Sequence, residues 1–513
     1  MSAADAAVRQ LVREAIEVYD SDPAARTTLE DHARRLEEPL RVAVAGMVKA
    51  GKSTLLNAII GEEIAPTDTG ECTRMVTWYR YRDTPRVTLH PREGEPRTLP
   101  LKRTDGRLHF DMGATGAAEV NRLVVDWPAK SLREITLIDT PGIASLSGDV
   151  SAGSIGFLTP KDAPSEADAI IYLMRHLHAA DLNFLESFRD TAAGHSGTVN
   201  TLAVLSRADE IGAGRIDSLL SAREIARRYC SDRSLRTLAL GVVPIAGLLA
   251  QSARTLRQSE FHALADIARL DRAEREKLLL SADRFIRPAA PTDAGPEVRA
   301  ALLERFGLFG IRLASALIRG GLTEPTPLAH ELARRSGLNE LLALLSGQFQ
   351  ARAAQLKART AVAGIERLLR ERPCTGTERL AASLERIQAG AHEFRELRLL
   401  AEARTTGLAL ASELAAEAER LIGGQGIAPQ QRLGLGREAT DGELRSAAMA
   451  CLRRWRTVSE NPLTGHAAAE ACRTVVRSCE ALLAPEADGP GPPPVTARLK
   501  LGAEPAPSRR ATA

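Results

Sequence analysis

Apolar and small residues run without a break from Val42 to Ala45, and a helix-forming stretch follows from Ser53 to Ile60 after a cluster of glycines. Such a run predicts a buried strand, so strand, loop and helix stand in order. Further apolar or β-branched runs, RMVTWYRY, EITLID, AIIYLM, VNTLAVLS and LGVVPIAG, alternate with helical ones between Arg41 and Gly247. The alternation predicts a mostly parallel sheet with helices on both faces. Residues 1–37 carry Val8, Leu11, Val12, Ala15 and Tyr19 at helical spacing, one apolar stripe on one N-terminal helix whose partner is not nearby in sequence. After Gly247 no strand pattern recurs. SGLNELLALL, Ser336 to Leu345, reads as a last helix packed on the sheet, preceded by a helical insertion at about 250–335. Beyond it, helix-forming runs break at Pro373–Gly376, Gly423–Gly436 and Asn461–Gly465, and such polar, Ala-rich helices must bundle to form a core. The expected division is 1–37, an α/β domain over 38–350, a helical bundle over 351–484, and a disordered Pro-rich tail over 485–513.

Charge and cysteine content narrow the class. The 68 Lys and Arg nearly balance 65 Asp and Glu across 513 residues, so no global field draws the chain to nucleic acid and no DNA partner is expected. Cys72, Cys230, Cys374, Cys451, Cys472 and Cys479 lack zinc or C-x-x-C spacing and read as reduced, mostly buried thiols. No basic, apolar signal pattern opens the chain, and no apolar run approaches the ~18 residues that span a bilayer. A cytoplasmic protein able to sit on a membrane surface is the expectation.

Candidate chemistry begins inside the first unit. Gly46, Gly51, Lys52 and Ser53 satisfy G-x-x-x-x-G-K-[ST], a loop whose N–H groups and following helix N-terminus wrap a polyphosphate. Ala50 and Thr54 complete its wall; Lys52 reaches the β- and γ-phosphates and Ser53 binds Mg2+. Asp139, Thr140, Pro141 and Gly142 end the strand ITLI, which suits Asp139 to hold Mg2+ through water and the Gly142 N–H to meet the γ-phosphate. Between these, Thr73 in PTDTGECTRMVT is the candidate to close over Mg2+ and phosphate as a switch, with Thr67, Thr69 and Thr77 as alternatives. Base selection falls to Ser206, Arg207 and Asp209. The carboxylate of Asp209 accepts from guanine N1 and N2, and Arg207 stacks on the base, which favours GTP over ATP. PIAG, with Ala246, is a loose match to the last base loop.

In this order, with flanking helices on both sides, GMVKAGKSTLLNA, TR, DTPG and SRAD resemble bacterial dynamin-like GTPases. Within these they are most similar to the actinobacterial isoniazid-inducible group, IniC type, through PTDTGECTRMVTW and SRADEIGAGRID. The resemblance implies an α/β P-loop GTPase domain with a flanking α-helical neck and trunk. It further implies GTP and Mg2+ as cofactors, a lipid bilayer surface as partner, homo- or hetero-assembly with a paralogous dynamin-like protein, and a place on the inner face of the plasma membrane. The chain departs from the family where many members have Gln and Ser: here stand Val48 and Lys49. The water-positioning group is thus missing, and the Lys49 ammonium is a candidate to occupy the place of a monovalent cation. Trunk loops LLRERPCTG and LIGGQGIAPQQRLGLG are the two candidate membrane tips, and LRRWR places one buried Trp, Trp455, on a helix. Two other classes remain open: a soluble regulatory or assembly GTPase gripping a protein or RNA, and a scaffold with a degenerate nucleotide site.

Overall fold

The computed structural model describes residues 3–66, 75–104, 107–110, 115–116, 119–142, 166–191 and 197–484. Its centre is a nine-stranded sheet built from β1 (Leu40–Gly46), β2 (Thr77–Tyr81), β3 (Arg86–Pro91), β4 (Arg97–Leu99), β7 (Val120–Trp127), β8 (Ile135–Asp139), β9 (Ala169–Met174), β10 (Thr201–Ser206) and β11 (Val242–Ile245). The order across it is β11, β10, β9, β1, β8, β2, β7, β3, β4, and β5 (Leu101–Thr104) pairs with β6 (Arg107–Phe110) in a separate hairpin. From β11 to β8 every pairing is parallel, whereas β2 runs antiparallel to β8, and β3 antiparallel to both β7 and β4. β2 pairs parallel with β7, so five of the eight pairings are parallel and the sheet is mostly parallel, as expected, with antiparallel pairings confined to the β8–β2 and β7–β3–β4 side.

Alternation decides which face each strand residue covers. In β1, Val42 and Val44 join the apolar cluster that holds Leu55, Leu56 and Ile59, whereas Ala43 and Ala45 join the opposite one with Phe188, Ala222 and Leu235. Helix α3 (Lys52–Ile60) covers the first face, together with the helix Leu338–Leu344, as SGLNELLALL predicts. The helices between 247 and 335 form their own core around Leu264, Phe285, Phe306 and Leu328.

Residues 1–37 form two helices rather than one, α1 (Ala3–Val18) and α2 (Pro23–Glu37), and the apolar stripe belongs to α1, with Tyr19 one residue past its end. Asp22 causes the break: its carboxylate accepts from the Ala24 and Ala25 N–H groups, and Pro23 starts the next helix without needing a partner for its nitrogen. The stripe packs on α2 and on the distant helix Ala353–Glu371, so part of its partner is nearby after all. Behind the strands, Arg35 of α2 forms a buried ion pair with Asp168, 2.8 Å apart, at the start of β9.

The helices after Ala391 share one continuous core with the sheet, including Leu400, Leu421, Trp455 and Val475. Trp455 is fully buried, as expected. The breaks at Pro373–Gly376, Gly423–Gly436 and Asn461–Gly465 all separate helices. One candidate tip is corrected: Leu421, Ile422 and Leu433 are buried, and Arg432 donates to the Leu421 carbonyl at 2.6 Å and pairs with Glu396, so LIGGQGIAPQQRLGLG is a core junction. Of the five cysteines described, Cys472 and Cys479 are buried, Cys451 is half-buried, and Cys230 and Cys374 are exposed, which corrects the expectation of mostly buried thiols; all five are free. Cys72 and the stretch 485–513 lie outside the described residues.

Candidate nucleotide site

The loop from Gly46 to Lys52 follows the C-terminal end of β1 and opens α3, at the end of the parallel strands where open α/β sheets hold ligands. Lys52 Nζ donates to the carbonyls of Gly46 at 3.3 Å and Met47 at 3.5 Å. Ser53 Oγ donates to Asp139 Oδ2 at 2.9 Å, and the other oxygen, Oδ1, is buried without a hydrogen-bond partner. Burial pushes the Asp139 carboxyl up to about 6, against the opposing pull of Lys52 and Ser53. Burial likewise lowers Lys52, against the pull of Asp139. Both displacements come from lost water, and both reverse when opposite charge enters.

This geometry passes a test for Mg2+. A cation there would find Ser53 Oγ and the unpartnered Asp139 oxygen, a hard oxygen pair. Among the described residues no group of three or more His, Cys, Asp or Glu gathers to hold a metal. So few protein ligands suit Mg2+, which keeps waters and shares phosphates. Register supports Asp139 from both sides, because it pairs with Val44 of β1 and with Thr77 of β2. Thr77 is thereby a buried strand residue and is removed from the candidates for a mobile switch hydroxyl. Thr67, Thr69 and Thr73 lie outside the described residues. Asn57, which sequence reasoning missed, fixes the entry to that stretch: its side chain accepts from the Ile64 and Ala65 N–H groups and donates to the Ala65 carbonyl.

Gly142 is a glycine because the loop crowds it. A Cβ there would lie 2.5 Å from Val48 Cγ2 and 2.9 Å from Val48 Cα. The residue standing in the water-positioning place therefore packs directly on the D-T-P-G turn. Lys49 beside it is exposed and left-handed, at φ 62°. Its carbonyl accepts from Arg207 Nη2 at 3.0 Å, and Arg207 is left-handed too, at φ 53°. These are the only non-glycine residues with positive φ among those described, and they are bonded to each other across the site.

A cavity of about 140 Å³ sits between the two loops. Ala50, Gly51 and Thr54 line one side, Ser206, Arg207 and Asp209 the next, and Ile245, Gly247 and Leu248 the third. Burial raises the Asp209 carboxyl, with Glu210 adding to the shift while its own N–H and Arg207 oppose it. Glu210 pairs with Arg175 at 2.8 Å and Arg207 at 2.7 Å, a brace no motif announced. Ser206 lines the cavity but turns its hydroxyl to the Met174 carbonyl, 3.2 Å away. The Ala246 N–H donates to the Ser336 carbonyl at 3.0 Å, and its neighbours Ile245 and Gly247 line the cavity.

The sequence profile of the Dynamin family matches residues 42–206, from β1 to the end of β10. Isoniazid-induced protein IniC of Mycobacterium tuberculosis is 42% identical over 483 residues, covering 93% of this chain and 98% of that protein. The chain belongs to the dynamin family. Isoniazid-induced protein IniA of the same organism is 31% identical to this dynamin-family chain over 137 residues, 25% of this chain and 21% of IniA. Among solved structures, an oligomerised bacterial dynamin pair aligns with a TM-score of 0.30 at 13% identity, covering 90% of this chain and 63% of that one.

Proposed function

We propose that this dynamin-family chain binds GTP with Mg2+, hydrolyses it, and couples the cycle to movement of its helical region at a membrane surface. The observation that carries the nucleotide part is the convergence of Lys52, Ser53 and the half-satisfied Asp139 at the mouth of α3. In this reading Lys52 meets the β- and γ-phosphates, with Gly46, Ala50, Gly51 and Thr54 forming the cradle. Ser53, Asp139 and Thr73 hold Mg2+, the Gly142 N–H faces the γ-phosphate, and Arg207 and Asp209 receive guanine beside Ser206. Bound Mg2+ supplies positive charge to the β,γ-bridge during transfer. Lys49 adds a tethered ammonium.

The division into residues 1–37, 38–350 with an insertion at 250–335, 351–484 and a tail is proposed with it. For the membrane part, among the described residues no helix is long and apolar enough to cross a bilayer. Contact would be peripheral, on the inner face of the plasma membrane, alone or with a paralogue. The exposed apolar side chain best placed for it is Leu463, 92% exposed at the turn between helices Asp441–Glu460 and His466–Leu483. Two measurements test the reading. Mg2+-dependent GTP hydrolysis should vanish in Lys52→Ala with the fold intact, and normal GTP affinity in that variant would refute the site. Vesicle co-sedimentation should fail in Leu463→Asp while hydrolysis persists; unchanged pelleting would refute the tip, and no pelleting by the parent would refute the membrane role.

A further inference from the structure

A second cavity, about 1760 Å³, opens on the far side of α3 from the nucleotide. Leu313, Leu317, Leu322, Leu342 and Leu345 form much of its wall, with Ile59 at the end of α3. Set into that wall is Arg254, the last residue of the helix Gly247–Arg254. Its Nε is buried without a hydrogen-bond partner. The guanidinium lies so close over Gly61 that a Cβ there would fall 2.5 Å from Nη2. Three nearby carboxylates are engaged elsewhere, since Arg305 pairs with both Glu63 and Glu260 and Glu331 on the cavity wall pairs with Arg334 and Arg335, while Glu134, also on the wall, is exposed to water. Burial alone lowers the Arg254 pKa, with no acid to oppose it. Lys130, Arg133, Arg334 and Arg335 also border the cleft, but Arg254 is the cation set against its leucine wall, and an apolar wall with a desolvated cation is complementary to one kind of ligand.

We propose that this cleft binds a single-chain anionic amphiphile, its acid group on Arg254 and its chain along the leucine wall, and that the ligand is coupled to the nucleotide site. The coupling follows from two helices that reach both places. Helix α3 presents Thr54 and Leu55 to the base cavity and Ile59 to the cleft, with its cap Gly61. The helix Gly247–Arg254 presents Gly247 and Leu248 to the base cavity and Ala253 and Arg254 to the cleft. A ligand that shifts either helix end changes the other site, and the coupling is reciprocal.

The test uses the full chain and monomeric probes below their aggregation concentration, without vesicles, so its failure is separate from failure of the membrane reading. Palmitate and lysophosphatidic acid distinguish a carboxylate from a phosphate head, and monopalmitoylglycerol serves as the neutral control. Saturable binding of either acid with at least ~10-fold preference over the neutral ester is expected, the range of a charge-assisted contact. Arg254→Leu should remove the preference while leaving GTP affinity and basal hydrolysis unchanged, and Leu317→Asp should weaken all three probes. A non-hydrolysable GTP analogue should shift acid affinity ~5-fold or more. Equal binding of the neutral ester, or an unaltered preference in Arg254→Leu, would overturn the site, and indifference to nucleotide would overturn the coupling.

Discussion

At the scale of single residues, Asp139 and Lys49 make opposite demands on the fold. Asp139 is buried with its carboxyl raised to about 6 from an ordinary 3.8, so the folded protein holds the proton through that window. Stability of the nucleotide-free protein therefore falls as pH rises from about 4 to 6 on account of this group. Asp139→Asn, neutral at every pH, should raise the midpoint of urea unfolding at pH 7.5 by the equivalent of up to about 3 kcal/mol, and lose most of that gain at pH 4. An equal gain at both pH values would show that charge is not the cause. Lys49 stands in a left-handed conformation that costs a non-glycine residue roughly 1–2 kcal/mol and is held by the Arg207 bond to its carbonyl. Lys49→Gly relaxes that conformation without removing the carbonyl, so it isolates the ammonium. If the ammonium acts on developing charge, kcat should fall ~10–1000-fold with GTP affinity unchanged, and parent hydrolysis should ignore exchange of Na+ and K+ for a bulky organic cation. Parental kcat in Lys49→Gly, or a K+ requirement in the parent, would remove Lys49 from the chemistry.

Elements show which patterns could be read from sequence and which could not. β9 and β10 are buried at every position and were legible as AIIYLM and TLAVLS, because a strand covered on both faces needs no partner to declare itself. β3, RVTLHP, buries only Val87 and Leu89, and a half-covered strand looks like a loop until its neighbours β7 and β4 are known. The strand, loop and helix that carry the candidate phosphate residues were legible because such a loop ties its glycines and the helix start to local spacing. The anchor of the PIAG loop was not, since the Ala246 N–H donates to Ser336, ninety residues away in sequence and visible only in the fold. Hidden titration follows the same logic in α2. His32 faces Gly364 of the helix Ala353–Glu371, and neither ring nitrogen has a hydrogen-bond partner. Burial lowers it to about 4, helped by Arg35 and Arg367 and opposed by Asp31 and Asp168. The unfolded chain takes up this proton between pH 6.5 and 4 while the folded one does not, so acidification destabilises through His32 and stabilises through Asp139. Comparison by difference separates them: the stability of His32→Gln relative to the parent should rise by up to about 3 kcal/mol as pH falls from 6.5 to 4. A constant difference would mean that His32 is protonated in place.

Across the whole molecule, the candidate nucleotide site and the helical region sit at opposite ends of the strands. The loops proposed to hold phosphate and base follow the C-terminal ends of β1, β8, β10 and β11. The helical region attaches before the strands begin: Arg35 to Asp168 ahead of β9, and Arg404 to the carbonyls of Ala239 and Leu240 ahead of β11. One strut joins the two ends. Ala246 in the base loop donates to Ser336, the helix Leu338–Leu344 continues as a π-turn over Leu345–Phe349, and Arg352 then donates to Gln348 Oε1 at 2.6 Å and to the Gly423 carbonyl at 2.5 Å. A π-turn interrupts the regular bonding of a helix and recurs at functional positions, which suits a strut that must change length or twist. Arg352 is its distal fastening, buried among Glu396, Arg404 and Arg432 and lowered to about 10, chiefly by burial. Arg352→Met keeps the volume and releases Gly423, at a cost of about 1–3 kcal/mol for the carbonyl left unpaired, which the large shared core can absorb. GTP affinity should stay within about twofold of the parent, since Arg352 lies far along the strut from the base cavity. Hydrogen exchange over residues 392–483 should respond to a GTP analogue in the parent and not in Arg352→Met, with Arg352→Lys restoring part of the response through its remaining donors. A full response in Arg352→Met would show that the signal bypasses Gly423 and leaves the nucleotide end by way of the insertion helices around Phe306.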